Sequence, residues 1–239
     1  MKILEATDYD DLSHKAADIV IDQVRAKPTT LLVLPTGNTP LGLFRELVRA
    51  AKSGAADFTA VRFVTLDEYA GLAADDRRRL LSWLRQALLD PIGVGDDAVL
   101  AFDPKADPAA EAGRIEAGIA ARGGIDLAVV GLGPNGHLGF NEPGSAFDSR
   151  TRQVSLTAES IRSNAAYWGS EADVPTTAFT LGLGTLAESA RLVLIASGAA
   201  KAGILSRMTG GDISPEVPAT LLRRHPDSLI IADRDALGR

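Results

Sequence analysis

Short apolar runs alternate along the chain with longer stretches in which apolar positions recur every three or four residues. The runs at 31–34, 61–66, 125–132, 178–183, 191–195 and 228–232 predict strands. The stretches at 9–26, 40–53, 78–89, 109–122, 159–167 and 199–209 predict helices. Strands separated by helices predict βαβ units. The expected fold is therefore a single α/β domain over residues 1–239, a doubly wound, mostly parallel, Rossmann-like sheet with helices on both faces. Pro40 suits the first turn of its helix, where a missing N–H costs nothing, and Gly210-Gly211 marks a helix end. No repeat or linker divides the chain. The arginine-rich segment 67–90 is a candidate flap.

Composition narrows the class. Of 239 residues, 46% are hydrophobic and 23% charged, an ordinary globular balance. The formal net charge of −6, with no Lys/Arg block, argues against nucleic-acid binding and leaves room for a local anion pocket. There is no cysteine, which excludes disulfides, thiol nucleophiles and cysteine-based metal sites. The N-terminus lacks a signal-peptide apolar region, and no run approaches the roughly 20 apolar residues of a membrane span. The expectation is a cytoplasmic protein without membrane contact.

Three stretches offer chemistry. The first is Gly133-Pro134-Asn135-Gly136-His137-Leu138-Gly139-Phe140-Asn141, continuing into Glu142-Pro143-Gly144. It follows a predicted buried strand and so lies where open α/β sheets bind ligands. His137, one of three histidines, and Glu142 can be read as a proton-transfer pair, the carboxylate orienting the ring and raising its basicity. The plainer alternative is a loop histidine bonded to backbone. His14 and His225 are remote in sequence, so zinc is not expected, and no Gly-x-Ser-x-Gly elbow occurs.

The second stretch, Leu34-Pro35-Thr36-Gly37-Asn38-Thr39-Pro40, is a strand, a polar turn and a helix start. It forms either an anion site built from Thr36, Gly37, Asn38 and Thr39 or a simple turn capped by Thr39. It is not a Walker A loop. Lys201, at the start of a helix, is either a partner for the same anion or a solvated lysine. In the third, Asp67-Glu68-Tyr69, two carboxylates follow a strand. They are either solvated loop residues or a source of a general base, with one of the two side chains entering the cleft. Val217-Pro218-Ala219 and His225-Pro226 read as punctuation around a short helix and strand.

Together these residues resemble the glucosamine-6-phosphate deaminase (isomerase) family, in the superfamily shared with 6-phosphogluconolactonases. The resemblance covers nearly the whole chain and is most specific in the Gly-His-x-Gly-Phe-Asn-Glu-Pro block. That block favours deaminases over lactonases, whose loop continues differently after Gly-His and whose acidic motif looks like Asp-Glu-Arg. It implies conversion of a small-molecule amino sugar phosphate, glucosamine 6-phosphate with water, into fructose 6-phosphate and ammonia, without metal or nucleotide. By similarity Asp67 would move a proton from C2 to C1, His137 would assist ring opening with Glu142 tuning it, and Asn135 would complete the catalytic loop. Thr36, Gly37, Asn38, Thr39 and Lys201 would hold the phosphate. A lactonase-type hydrolase and a non-catalytic sugar-phosphate sensor are the competing readings.

Two departures bear on the substrate. Family members usually carry an arginine in an Asn-x-Arg-aromatic pattern, and here the matching residues are Asn164-Ala165-Ala166-Tyr167. Arg162, one helical turn before Ala166, is the expected replacement for that phosphate clamp. The His-Pro-x-Ser-Tyr pattern of the family is replaced by Asp75-Asp76-Arg77-Arg78-Arg79-Leu80. The chain ends soon after Asp233, so hexose-phosphate activation and a hexamer are not expected to carry over, with a homo-oligomer left open.

Overall fold

The computed structural model describes residues 1–239. Seven strands form one parallel sheet: β1 (Lys2–Ala6), β2 (Leu31–Leu34), β3 (Arg62–Thr65), β5 (Val99–Leu100), β6 (Leu127–Gly131), β9 (Arg191–Ala196) and β10 (Ser228–Asp233). Their order across the sheet is β1-β10-β9-β6-β2-β3-β5. The remaining strands, β4 (Asp67–Tyr69), β7 (Arg152–Ser155) and β8 (Thr177–Thr180), pair antiparallel in a small second sheet ordered β4-β8-β7.

The main strands read as continuous apolar runs because both of their faces are buried. Leu31 and Val33 of β2 enter one core, and Leu32 and Leu34 the other. The same alternation divides β6, β9 and β10 between the two cores. Helices α1 (Tyr9–Ala26) and α2 (Leu41–Lys52) cover one face, and α4 (Pro108–Ala121) and α7 (Ala202–Gly210) the other. The sheet is thus doubly wound, as the sequence pattern predicts.

α1 matches its predicted bounds. Asp8 caps it by accepting the Asp11 N–H at 2.9 Å, and Leu12, Ala16, Val20 and Val24 form its buried stripe. Three predictions need correction. The run predicted as a strand at 178–183 ends at Thr180, belongs to the antiparallel sheet, and gives way to α6 (Leu183–Ala187). Helix α3 (Leu80–Leu84) starts two residues later than predicted and runs into one π-type turn, Arg85–Leu89. Its N-terminal N–H groups find their acceptor outside the helix, in the Glu68 carboxylate, which takes Leu80 N–H at 2.9 Å and Leu81 N–H at 3.2 Å. Asp67-Glu68-Tyr69 is itself a strand, β4, that carries the chain from the main sheet into the small one.

The candidate flap is anchored. Arg79 is buried, donating to Glu68 at 3.2 Å, to the Ala74 carbonyl at 2.8 Å and to the Phe102 carbonyl at 3.0 Å. No helix is long and apolar enough to cross a membrane.

Candidate active site

The loops after β2, β3, β6 and β9, four neighbouring strands, meet at the carboxyl edge of the main sheet around a cleft of about 450 Å³. This is the position that open α/β sheets offer to ligands. Thr36, Gly37, Asn38 and Thr39 come from the first loop, Asp67 from the second, Gly133 and His137 from the third, and Lys201 from the fourth. Helix α5 (Ala158–Trp168) and the 77–83 segment close the sides.

Pro40, rather than Thr39, occupies the cap position of α2, and no side chain caps that helix. The backbone N–H groups of residues 36–39 have no acceptor within the chain. Tyr9 holds the turn from below: its hydroxyl donates to the carbonyls of Asn38 and Thr39 and accepts the Gly42 N–H at 2.7 Å. Gly37, at φ +94°, lets the turn point its amides outward. Unpaired amides, two threonine hydroxyls and the half-buried Lys201 ammonium make an anion nest. Lys201 donates to the Leu132 carbonyl at 2.7 Å, and burial lowers its pKa.

Asp67 is 7% exposed, and its Oδ1 has no hydrogen-bond partner. Burial, reinforced by the Glu68 charge, pushes its carboxyl up to about 8. Glu68 points the other way, into the α3 terminus and Arg79, so one of the two carboxylates enters the cleft.

The third loop is built around His137. Its backbone N–H donates to Asn135 Oδ1 at 3.2 Å, and its Nδ1 lies 3.5 Å from Glu142 Oε2, an ion-pair distance and long for a hydrogen bond. Burial acts to raise the Glu142 carboxyl, but His137, the Ser160 hydroxyl and the Asn135 amide outweigh it and hold the group at about 2. Two glycines make the arrangement possible. A Cβ at Gly133 would sit 2.2 Å from the imidazole, and one at Gly139, φ +58°, would press on Thr180 and on Asp67 Oδ2. The loop is pinned at Gly136, whose carbonyl accepts the Ala219 N–H at 2.8 Å, so Val217-Pro218-Ala219 supports the site and is more than punctuation.

Of the sequence candidates, Thr36, Gly37, Asn38, Thr39, Asp67, His137 and Lys201 line the cleft together. Glu142 and Asn135 stand behind His137, off the cleft surface. Arg162 is not brought to the cleft. Ser163, Asn164 and Tyr167 form the face of α5 that lines it, whereas Arg162 and Ala166, one turn apart, are exposed on another face. Sequence reasoning missed Ser160, which holds Glu142, and Arg77, Arg78, Tyr69 and Trp168 on the cleft wall.

The class that fold and site define is a doubly wound α/β protein with an anion nest, a buried acid and an imidazole beside a carboxylate at one strand edge. The glucosamine-6-phosphate isomerases/6-phosphogluconolactonase family model matches residues 7–231, and the chain belongs to that family. It is 40% identical to a glucosamine-6-phosphate deaminase of Geobacillus sp. (strain WCH70), covering all of this chain and 95% of the relative. It is 39% identical to the deaminase of Bacillus velezensis, covering 100% and 99%. Among solved structures, a monomeric glucosamine-6-phosphate deaminase superposes with a TM-score of 0.96 at 36% identity, covering 100% and 99%. The 6-phosphogluconolactonase of Trypanosoma cruzi, at TM-score 0.76 and 21% identity, shares the fold.

Proposed function

We propose that the chain is an enzyme converting glucosamine 6-phosphate and water into fructose 6-phosphate and ammonia, an isomerisation coupled to hydrolytic deamination. The observation that carries this reading is the unpartnered, buried Asp67 carboxyl facing the same cleft as His137 and the 36–39 nest. The order of steps follows from acidity. A carboxylate is too weak to take a proton from an unactivated C–H, so the sugar ring must open first. His137, beside Glu142, exchanges the proton between the ring oxygen and C1 hydroxyl that opens the ring. The free aldehyde acidifies C2; Asp67 takes that proton and returns it at C1 while a proton passes from the C2 amine to the C1 oxygen, and the resulting C2 imine adds water and releases ammonia. Asn135 holds the loop and Glu142 from behind, a positioning role.

A coupled ammonia assay over glucosamine, galactosamine and mannosamine 6-phosphates, with the unphosphorylated amines as controls, tests the reading. Ammonia from the glucosamine 6-phosphate arm is expected. Absence of turnover on every amine defeats it, and acid without ammonia from a 6-phosphogluconolactone substrate favours a lactonase.

A further inference from the structure

Three consecutive arginines on the segment between β4 and α3 have different surroundings. Arg79 is buried and bound to Glu68. Arg78 is held twice, by a two-pronged contact with Asp76 (3.0 and 2.8 Å) and by its guanidinium lying 4.6 Å from the centre of the Trp168 ring. Arg77 is exposed, lines the cleft, and has neither an ion-pair nor a hydrogen-bond partner. Its neighbours fix the backbone on both sides, so the unengaged guanidinium is presented by a rigid support.

The same segment spans the cleft. Trp83 lines the cleft and packs on Phe44 of α2, the helix that begins at the anion nest, with ring centres 5.9 Å apart. At its other end Arg78 rests on Trp168 of α5. Across from the segment, α5 presents Ser163, Asn164 and Tyr167 to the cleft and no cation. In a chain of net charge −6, three cations, Arg77, Arg78 and Lys201, therefore line one cleft against the single carboxyl of Asp67.

We infer that Arg77 is the guanidinium clamp for the substrate phosphate, completing the anion site with Lys201 and the 36–39 nest and setting the preference for phosphorylated over neutral amino sugars. A planar guanidinium offers two parallel N–H donors to a phosphate, which a lysine ammonium does not. The inference rests on the sugar-phosphate reading above, and its test separates the two. Sorbitol 6-phosphate, an open-chain phosphate ester without the amine, is titrated calorimetrically against the protein, with sorbitol as the control. Wild type binds the ester and not the polyol. R77A binds the ester at least about tenfold more weakly, the scale of one or two charge-assisted hydrogen bonds, and R77K lies between. In turnover R77A raises KM for glucosamine 6-phosphate and leaves kcat unchanged, and its melting temperature stays close to the wild-type value because Arg77 makes no ion pair or hydrogen bond in the fold. Undiminished binding by R77A overturns the inference alone, as does a loss carried by R162A instead. A wild-type protein that ignores the phosphate ester overturns the sugar-phosphate reading and this inference with it.

Discussion

At the scale of single residues, Asp67 and Glu142 are carboxyls driven in opposite directions by their surroundings. Asp67 lies where nothing compensates its charge, and burial moves it from 3.8 to about 8. Between those values the folded protein keeps a proton that the unfolded chain has released, so stability falls as pH rises, by up to about 1.4 kcal/mol per pH unit. Exchanging the carboxyl for an amide of the same shape removes that slope. D67N is expected to release no ammonia, yet to melt at a higher temperature than wild type, with a gap that widens from pH 5 to pH 8. Equal melting curves across that range would show that the carboxyl titrates normally. Because the base must be ionised to take a carbon-bound proton, kcat/KM of wild type should climb with pH up to about 8. Glu142 has the opposite sign. Lowered from 4.5 to about 2, its contribution is fully present above 4.5 and is lost as the pH falls toward 2. E142Q should flatten that acid limb in urea melts at pH 2 to 5 and leave the alkaline slope in place.

At the scale of elements, the joint between β4 and α3 determines where the cleft wall stands. Glu68 is almost fully buried, and it takes two α3 amides and the Arg79 guanidinium at once. Burial raises its carboxyl against those donors, so removing the arginine leaves a poorly compensated buried group. R79A is expected to cost about 3 kcal/mol in urea unfolding. It should also speed amide exchange at residues 74–84 well beyond the change in the main sheet. A uniform increase over the whole chain would mean that the joint is not a local lock. The same joint explains what could be read in advance. β2, β6, β9 and β10 are visible in the sequence because both faces are buried and the runs are apolar throughout. β1 lies at the sheet edge with Lys2, Ile3 and Leu4 exposed, β5 is two residues long, and β4 consists of two acids and a tyrosine, so none of them carries that signal. The start of α3 was unreadable for a related reason: its cap comes from a different strand. The 133–144 loop motif, the 36–39 turn and Lys201 were legible as candidates because each is a local pattern beside a strand end. Arg77 was not, since an exposed arginine in a polar loop looks the same whether it faces water or a cleft. Arg162 was misplaced because α5 rotates it away from the cleft, and helical spacing alone sets which residues share a face and not which way that face points.

At the scale of the whole molecule, charge distribution sets two forces on an anionic substrate against each other. The net charge of −6 repels it at long range, while Arg77, Arg78 and Lys201 attract it at the cleft. At physiological ionic strength the screening length is about 8 Å, shorter than the reach from the cleft to most of the acidic surface of a 239-residue domain. The remote repulsion is thus already largely screened, whereas the cations act over contact distances inside a partly buried cleft. Added salt therefore weakens mainly the attraction. KM for glucosamine 6-phosphate is expected to rise several-fold between about 0.05 and 0.5 M salt, with kcat constant, because the proton transfers proposed for Asp67 and His137 act on bound substrate. A KM that falls over the same range would mean that the global negative charge dominates the encounter and that the cleft cations are engaged by internal partners. In R77A the salt response should be shallower than in wild type, since one of the three charges that salt screens has gone.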